Sequence, residues 1–378
     1  MNSKKILGTS FIIILIILSA LSLITIASLS FPKGQKEYGK SYYFLIRQAI
    51  WLVIGWGLFV FTANVNYKKY KDIAKYLYVI GAFGLIMVLI AGKTVNGAKR
   101  WIDLRLILLQ PLEFAKLFLI ITLSTLVYTF KTRNKIKKFP KITSGIIMFG
   151  TFFYMLLILF EKAFSSTAQI TIIGLTYLFI SEVKFSIISI YSAIIGVGGW
   201  LAVTKVGYRV NRLVEYQAKG TSGQTAESLI AIANGKFSGR FYGNGLQKYN
   251  FLPEIHTDYV FSGFAEENGF LGVLFLLGLY AALLVIIGVA LRKIKDLYAK
   301  YLLSGIFIML ATQIIGNIAV ASHLIPSTGI PLPIMSYGGS AMIVVMLSLG
   351  IVYNILRALY RQEMGRDLDK LHEMDYMM

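Results

Sequence analysis

Five ionisable side chains lie close together in one short stretch, LPEIHTDYVFSGFAEENG, at residues 252–269. They are Glu254, His256, Asp258, Glu266 and Glu267. Long apolar runs flank the stretch, so these groups belong where a membrane helix meets water. Because ionisable groups there are costly unless they are solvated, paired or used, the cluster indicates a functional site. Asp258 is the candidate general base for a hydroxyl group, since burial and nearby cations both tune a carboxyl pKa.

Two other chemistries remain open for this stretch. His256 could act as the base, because the unperturbed pKa of histidine lies near neutrality, although a lone loop histidine more often only forms hydrogen bonds. Glu254 and Asp258 could instead hold a divalent cation, magnesium or manganese, through carboxylate oxygens. Two carboxylates alone are weak evidence for a metal. The sequence contains no cysteine, which excludes disulfides and thiolate metal sites.

A second pair of charges opens the fourth apolar run, in the motif QPLEFAKL. Glu113 and Lys116 are three residues apart, so on a helix they share a face and can form an ion pair. Pro111 suits the first turn of that helix. The pair could simply neutralise two buried charges, or its lysine could also orient a carboxylate or phosphate group of a ligand. Both interpretations stay open.

Surplus cations occur in two segments that we expect on the outer face of the membrane. Arg100 lies beside Trp101 in the motif VNGAKRWIDL, and a tryptophan suits a membrane–water interface. Arg209 and Arg212 lie in the long loop at 207–262, where basic residues outnumber acidic ones. An anionic lipid headgroup or a diphosphate would explain this surplus, and we favour it over a solvated loop with scattered charge.

A proline- and glycine-rich segment, PSTGIPLPIMSYGGS at residues 326–340, precedes the last apolar run. It holds three of the seven prolines, so it cannot form a continuous helix. We expect a re-entrant or irregular segment at 323–339, which is tolerated at membrane depth only where protein or a cavity covers its backbone. Ser336 and Gly338 are candidates for ligand contact, although a rigid connector is at least as good an interpretation.

The composition indicates which elements position these residues. Of the 378 residues 56% are hydrophobic and 15% are charged, whereas soluble chains carry roughly 25% charged residues. Apolar runs of about 20 residues can cross a bilayer as helices. We therefore predict an all-α polytopic membrane protein, a single domain over residues 1–378, with ten spans. The predicted spans are 6–30, 44–64, 73–92, 113–130, 143–160, 167–182, 185–206, 263–291, 300–322 and 340–360.

The net charge of +20 is distributed unevenly along the chain and predicts its orientation. If the ten spans alternate, the basic clusters after spans two, four, eight and ten fall on one side. The positive-inside rule makes that side cytoplasmic, with both termini inside and Asp258 outside. The first span is too long for a signal-peptide core, so we expect an uncleaved helix. Since the charge serves topology, nucleic acid is a poor candidate partner, and membrane lipids are the expected surroundings.

Five motifs occur in an order that resembles the SEDS family of bacterial shape, elongation, division and sporulation proteins. They are NGAKRW, QPLEFAKL, LPEIHTDY, AEENG and GIPLPIMSYGGS. The resemblance implies a ten-span membrane glycosyltransferase that polymerises lipid II, a disaccharide peptide on undecaprenyl diphosphate, outside the cytoplasmic membrane. It implies a class B penicillin-binding protein as partner, and it assigns the family's essential aspartate to Asp258. The residues expected to contact the substrate are Arg100, Trp101, Glu113, Lys116, Arg209, Arg212, Glu254, His256, Ser336 and Gly338.

Two rival functions and some departures from the family pattern accompany this expectation. A flippase for lipid II or a non-catalytic scaffold for the penicillin-binding protein would also fit ten helices. The carboxylates and cations at the outer rim argue against a flippase, because transporter sites tend to lie near the bilayer midplane. The family's QPSE has Leu112 in place of its serine, its QPDLGT is replaced by EKAFSST at 161–167, and Arg105 replaces a glycine.

Overall fold

The long apolar runs form a bundle of helices joined by short segments. The computed structural model describes residues 3–95, 98–103, 105, 108–204, 223–249, 251–327 and 329–375. The long helices are α1 Ser3–Leu29, α3 Tyr43–Asn64, α4 Tyr70–Ala91, α5 Pro111–Thr132, α7 Pro140–Phe160, α8 Phe164–Ile180, α9 Phe185–Thr204, α11 Val260–Lys293, α12 Leu297–Ala321 and α13 Gly339–Asp375. The shorter helices between them are α2 Phe31–Tyr38, α6 Lys135–Lys138 and α10 Gln224–Gly235. Each predicted span coincides with one long helix.

The described helices support a polytopic membrane protein. Eight of them are long and apolar enough to cross a membrane. The helix α8, with 17 residues, and the part of α9 at 185–194 are shorter apolar helices. A helix of 17 residues lies at the lower limit of what spans a bilayer core. The all-α polytopic fold is therefore confirmed.

Helix α5 is buried on almost every side and forms the centre of the bundle. Its Ser124 hydroxyl lies 2.7 Å from the Tyr177 hydroxyl of α8, which in turn donates a hydrogen bond to the Tyr301 carbonyl of α12. Another hydroxyl of α5, that of Thr122, donates to the Ala74 carbonyl of α4 at 3.0 Å. Because polar groups in an apolar interior need partners, these contacts fix the register between neighbouring helices.

The connecting segments at the α5 N-terminal end of the bundle are ordered rather than simple loops. Strands β1 Lys93–Val95, β2 Ala98–Asp103 and β3 Leu108–Leu109 form a small antiparallel sheet between α4 and α5. The Lys99 ammonium donates to the Leu89 and Ile90 carbonyls, which caps the C-terminus of α4. The sheet thereby holds its second strand over the end of the bundle.

Two acidic residues of α11 anchor the segment at 236–249. The Glu266 carboxylate accepts hydrogen bonds from the Leu246 and Gln247 backbone amides at 3.0 and 3.1 Å. The Glu267 carboxylate forms a buried ion pair with Lys248 at 2.8 Å and accepts a hydrogen bond from the Ser28 hydroxyl of α1 at 2.6 Å. These two carboxylates therefore serve the packing of the segment on α1 and α11.

Candidate functional site

The Asp258 loop, residues 251–259, is a series of turns between the 236–249 segment and α11. Its backbone is tied to its surroundings through Asn317 of α12, whose side-chain amide donates to the Asp258 carbonyl at 2.8 Å and to the Ile330 carbonyl at 2.9 Å. The Asp258 residue itself is partly exposed. The loop therefore presents this carboxylate at the surface on a fixed backbone.

The described part of the proline-rich segment, residues 326–327 and 329–338, is irregular and packs directly on this loop. The buried Ser336 hydroxyl donates to the Thr257 carbonyl at 2.6 Å and accepts from the Leu332 amide at 2.8 Å. The Tyr337 amide donates to the His256 carbonyl at 2.9 Å. Ser336 thus holds two segments together beside Asp258. Gly338 is partly exposed just before α13, and its carbonyl accepts from the Met342 amide.

Arg100 reaches the same place from strand β2. Its guanidinium donates to the backbone carbonyls of Glu161 and Lys162, at the end of α7. A methyl group placed on Gly329 would lie 3.6 Å from the Asp258 Oδ2 atom and 3.8 Å from the Arg100 Nη1 atom. The Asp258 Oδ2 and Arg100 Nη1 atoms are therefore no farther apart than these two distances added together. A carboxylate and a guanidinium face each other across a glycine that leaves the space between them open.

His256 has an environment unlike that of Asp258, two residues away. It is 2% exposed and packs against the Phe44 ring, with centroids 4.8 Å apart, and against the Tyr337 ring at 5.8 Å. Burial, together with the positive charge of Lys33, lowers the pKa of His256 to about 3. Its Nδ1 atom has no hydrogen-bond partner among the described residues. A neutral imidazole enclosed in this way supports the loop.

Two further predicted residues lie near the loop and the sheet. Glu254 is half-buried and accepts a hydrogen bond from the Thr257 hydroxyl at 2.8 Å, which closes the turn before Asp258. Trp101 is half-buried and pairs with Lys93 in the β1–β2 ladder. Both residues thus lie in the elements that carry Asp258 and Arg100.

The Glu113–Lys116 pair lies inside the bundle. The two side chains are 3% and 1% exposed, and the Lys116 ammonium lies 2.7 Å from Glu113 Oε1. The ammonium also donates to Gln169 of α8 at 3.2 Å, and the Gln169 amide donates to the Met309 carbonyl of α12. The second Glu113 oxygen has no hydrogen-bond partner among the described residues. The expected ion pair is therefore present, and its hydrogen bonds connect α5 to α8 and, through Gln169, to α12.

Glu161, which the sequence reasoning did not select, is the neighbour of Arg100 at the end of α7. It is 1% exposed, and neither carboxyl oxygen has a hydrogen-bond partner in the part of the chain that the structure describes. Burial raises the pKa of the Glu161 carboxyl to about 8, although the charge of Arg100 lowers it in part. The only signal in the sequence was the unusual EKAFSST segment.

The remaining predicted features are two arginines of the long loop and a divalent cation. Arg209 and Arg212 lie outside the described residues. Within the described ranges, no three His, Asp or Glu side chains form a group that could hold a metal ion. The expectation of a magnesium or manganese ion held by Glu254 and Asp258 involves only two carboxylates and stays a prediction.

Comparison with known proteins gives a consistent result. The family model for cell cycle proteins of the FtsW, RodA and SpoVE type matches residues 8–361. The probable peptidoglycan glycosyltransferase FtsW of Coxiella burnetii is 34% identical over 360 residues, which cover 92% of this chain and 94% of that protein. The protein of the same name from Thioalkalivibrio sp. is 33% identical over 352 residues, covering 90% and 87%.

Solved structures of similar fold exist. A chain from a peptidoglycan synthase complex that coordinates polymerization and crosslinking aligns with a TM-score of 0.76 and 24% identity, covering 93% of this chain and 97% of that one. The rod shape determining protein RodA of Thermus thermophilus aligns with a TM-score of 0.68 and 24% identity, covering 93% and 96%. These two likenesses establish the fold.

Proposed function

Since the chain belongs to the FtsW, RodA and SpoVE family of cell cycle proteins, we propose that it is a peptidoglycan glycosyltransferase. It polymerises lipid II into glycan strands at the outer face of the cytoplasmic membrane. Relatives that match it over nearly their whole length bear that enzyme name. The observation that supports the site is the meeting of Asp258, Arg100 and Gly329, from three distant segments, at one end of the bundle.

In the proposed reaction Asp258 is the general base. It takes the proton of the 4-hydroxyl group on the GlcNAc of one lipid II molecule as that oxygen attacks the anomeric carbon of the other. The new glycosidic bond forms as the bond from the anomeric carbon to the diphosphate oxygen breaks, and undecaprenyl diphosphate leaves. A single in-line displacement inverts the sugar centre. General-base assistance contributes about 10²–10⁴-fold, so positioning and charge stabilisation supply the rest.

Cations stabilise the negative charge that develops on the leaving diphosphate. Arg100 is the described cation that we assign to this role, because it lies across Gly329 from Asp258. We assign the same role to Arg209 and Arg212 on the basis of their charge in the outer loop. The buried Lys116 bonds Glu113 and Gln169, so its contact with substrate requires an opening between α5 and α8.

A divalent cation, in this proposal, arrives bound to the substrate diphosphate rather than in a cage of side chains. Mg²⁺ is commonly held by one or two carboxylates together with substrate phosphates. Titration with EDTA followed by readdition of Mg²⁺ or Mn²⁺ tests this point. Full turnover in excess EDTA would show that no divalent cation takes part.

We further propose that the partner is a class B penicillin-binding protein, which crosslinks the strands. A structural neighbour belongs to a peptidoglycan synthase complex, which favours such an assembly. Co-purification from membranes with an affinity-tagged chain, followed by penicillin labelling of the eluate, tests this association.

The decisive experiment for the function uses purified protein in detergent, alone and with the penicillin-binding partner. Labelled lipid II should be converted into a ladder of glycan polymer. Asp258→Asn keeps the size of the side chain but removes the basic carboxylate, so the ladder should disappear while membrane abundance stays normal. Wild-type turnover by Asp258→Asn would exclude the general-base role.

The same preparation distinguishes an enzyme from a flippase. A flippase moves a headgroup between two leaflets and has no measurable product without a sealed bilayer, whereas a glycosyltransferase needs only its substrates. If no polymer forms with any partner or cation, while sealed vesicles containing the protein translocate lipid II, the flippase function replaces the proposed one.

A further inference from the structure

The turn after α7 carries an acidic residue and is joined to the proposed catalytic centre through Arg100. Glu161 is the first residue after the helix, and the next residue, Lys162, ends it in a left-handed conformation with φ of 60°. Arg100 donates hydrogen bonds to the carbonyls of both residues, so its guanidinium caps the C-terminus of α7. Arg100 is in turn 3.8 Å from a methyl group placed on Gly329, next to Asp258. One chain of contacts therefore joins Glu161 to the site.

The carboxyl group of Glu161 is unusual because it is buried without any bond. Its side chain is 1% exposed, and no described residue donates or accepts a hydrogen bond at either oxygen. Buried polar side chains nearly always have a partner, and each exception requires an explanation. A buried and unsatisfied group costs folding free energy. Such a cost is typical of residues kept for binding or catalysis rather than for stability.

On the premise that the protein polymerises lipid II as inferred above, we propose that Glu161 and Arg100 together bind the diphosphate of the lipid substrate. The guanidinium supplies positive charge, and the carboxyl group donates a hydrogen bond to a diphosphate oxygen. The next residue, Lys162, is exposed, so the turn itself lies at the surface. Because the Glu161 carboxyl group is buried, its contact with the diphosphate requires this turn to open. This arrangement gives the buried carboxyl a partner only when substrate is bound.

A carboxyl group can donate to an anionic oxygen only while it holds its proton. Two features favour the protonated form of Glu161. Burial raises its pKa to about 8. Its position at the C-terminus of α7 also places it at the negative end of the helix dipole, which disfavours a carboxylate. The charged groups that face this region are Arg100 of β2, Lys162 of the same turn and Asp258 beyond Gly329.

The sign of the pH effect follows from this protonation state. Below pH 8 Glu161 is neutral and donates its hydrogen bond. As the pH rises through about 8 it becomes a carboxylate and repels the diphosphate. The apparent KM for lipid II should therefore rise across this range in the wild type.

The test compares three variants of the full-length protein, in detergent with lipid II as substrate. Glu161→Gln keeps a donor that does not titrate, and Glu161→Leu removes all hydrogen bonding. Glu182→Gln is the matched control, because Glu182 is also a glutamate in a turn after a helix, but it is exposed and paired with Lys131 at the end of α8. For each variant, KM and kcat are measured between pH 6.5 and 9.5, together with the melting temperature and the inhibition by undecaprenyl diphosphate.

We expect Glu161→Gln to retain a KM close to the wild type at pH 7 and to lose the rise near pH 8. Glu161→Leu should raise KM at pH 7 by about tenfold or more, since it removes a hydrogen bond to a charged group. Inhibition by undecaprenyl diphosphate should weaken in parallel with KM. The control Glu182→Gln should behave as the wild type, including the rise near pH 8.

Three results would overturn the assignment. A Glu161→Leu protein with wild-type KM and pH profile would remove Glu161 from substrate binding. A raised KM with unchanged inhibition by undecaprenyl diphosphate would assign Glu161 to another part of the substrate. If Glu161→Leu does not fold, an unaltered alkaline rise of KM in Glu161→Gln decides against the proposal. Absence of any polymer from the wild type would instead reject the proposed function itself.

Discussion

At the residue scale, His256 and Asp258 differ in their environment although they are close in sequence. The two side chains are two positions apart, yet one is enclosed between aromatic rings and the other is partly exposed beside Arg100. An imidazole that burial keeps neutral has little capacity to accept a proton at neutral pH, since its pKa is lowered to about 3. Under the proposed function, the carboxylate rather than the imidazole is therefore the candidate base.

His256→Ala should therefore lower stability more than turnover. The change removes a ring packed against Phe44 and Tyr337, so the melting temperature should fall by several degrees. Polymerisation per folded molecule should stay within about tenfold of wild type, far above Asp258→Asn. Thermal unfolding and lipid II turnover on the same sample measure both. A loss as deep as that of Asp258→Asn at an unchanged melting temperature would restore His256 as the base.

The pH dependence of this variant provides an independent check. Since the folded pKa of His256 lies below its ordinary value of 6.5, the unfolded chain binds more protons between pH 6.5 and about 3. The wild type therefore loses stability from this residue as the pH falls through that window, and His256→Ala does not. The difference in melting temperature between the two proteins should narrow from pH 7 to pH 5.

The buried ion pair gives a second prediction at this scale. Glu113→Gln or Lys116→Met leaves one buried charge without its partner, which costs about 3–5 kcal/mol, whereas removing both charges costs much less. The double variant should therefore regain much of the melting temperature that either single variant loses. If Lys116 also binds substrate, turnover of the double variant stays low. Full recovery of turnover would make the pair purely structural.

The site residues differ in how far their roles can be read from sequence. Residue types and spacing suffice to select the Asp258 stretch and to expect the Glu113–Lys116 pair, because helix geometry relates positions three apart. They do not show that Glu266 and Glu267 face inward, nor that Glu161 is buried beside Arg100. Burial depends on contacts between helices distant in the chain, which no local pattern records.

At the element scale, hydrophobic run length predicts the long helices well and the short connecting elements poorly. The predicted span 263–291 corresponds to Val260–Lys293. The strands between α4 and α5 have three, six and two residues, too few for an alternating pattern to be visible. Helix α10 lies within what we predicted as a long loop. Both elements depend on packing against the bundle rather than on their own composition.

Helix α11 contains a sharp bend on which the neighbouring loop depends. Gly269 has φ of 64° and ψ of −167°, a conformation that is essentially restricted to glycine. A methyl group placed there would lie 2.2 Å from the Gly239 amide nitrogen. The close approach allows the Phe270 amide to bond the Lys236 carbonyl at 2.9 Å. The bend thus docks the 236–249 segment on the helix.

Gly269→Ala should therefore destabilise the protein by at least about 1–3 kcal/mol and release this segment. Trypsin cleavage at the exposed Lys236 and Arg240 should accelerate in the variant. Gly288→Ala is the matched control on the same helix, because a methyl group there would meet nothing within 4 Å. The control should be neutral or slightly stabilising. Equal melting temperatures and equal cleavage rates for the two variants would contradict the role of the bend.

At the scale of the whole molecule, the two ends of the bundle differ in charge and in structure. One end carries the Asp258 loop, the sheet and the proline-rich segment. At the other end, Lys68 lies 3.9 Å from Asp296, and Lys131 pairs with Glu182. The first pair joins the α3–α4 connection to the α11–α12 connection. The second pair joins the C-terminal ends of α5 and α8. The basic clusters after spans two and eight, to which Lys68 and the neighbours of Asp296 belong, therefore share an end.

This separation leads to a prediction about orientation. The positive-inside rule makes the basic end cytoplasmic, and a substrate-polymerising site must then face outward. Because the sequence contains no cysteine, single cysteines can be labelled without background. In intact cells a membrane-impermeant thiol reagent should label Ser238→Cys, on the exposed segment beside the Gly269 bend, and should not label Thr132→Cys at the end of α5. Permeabilised cells should label both. Labelling of Thr132→Cys alone in intact cells would invert the orientation and place Asp258 in the cytoplasm, where no glycan strand is assembled under the proposed function.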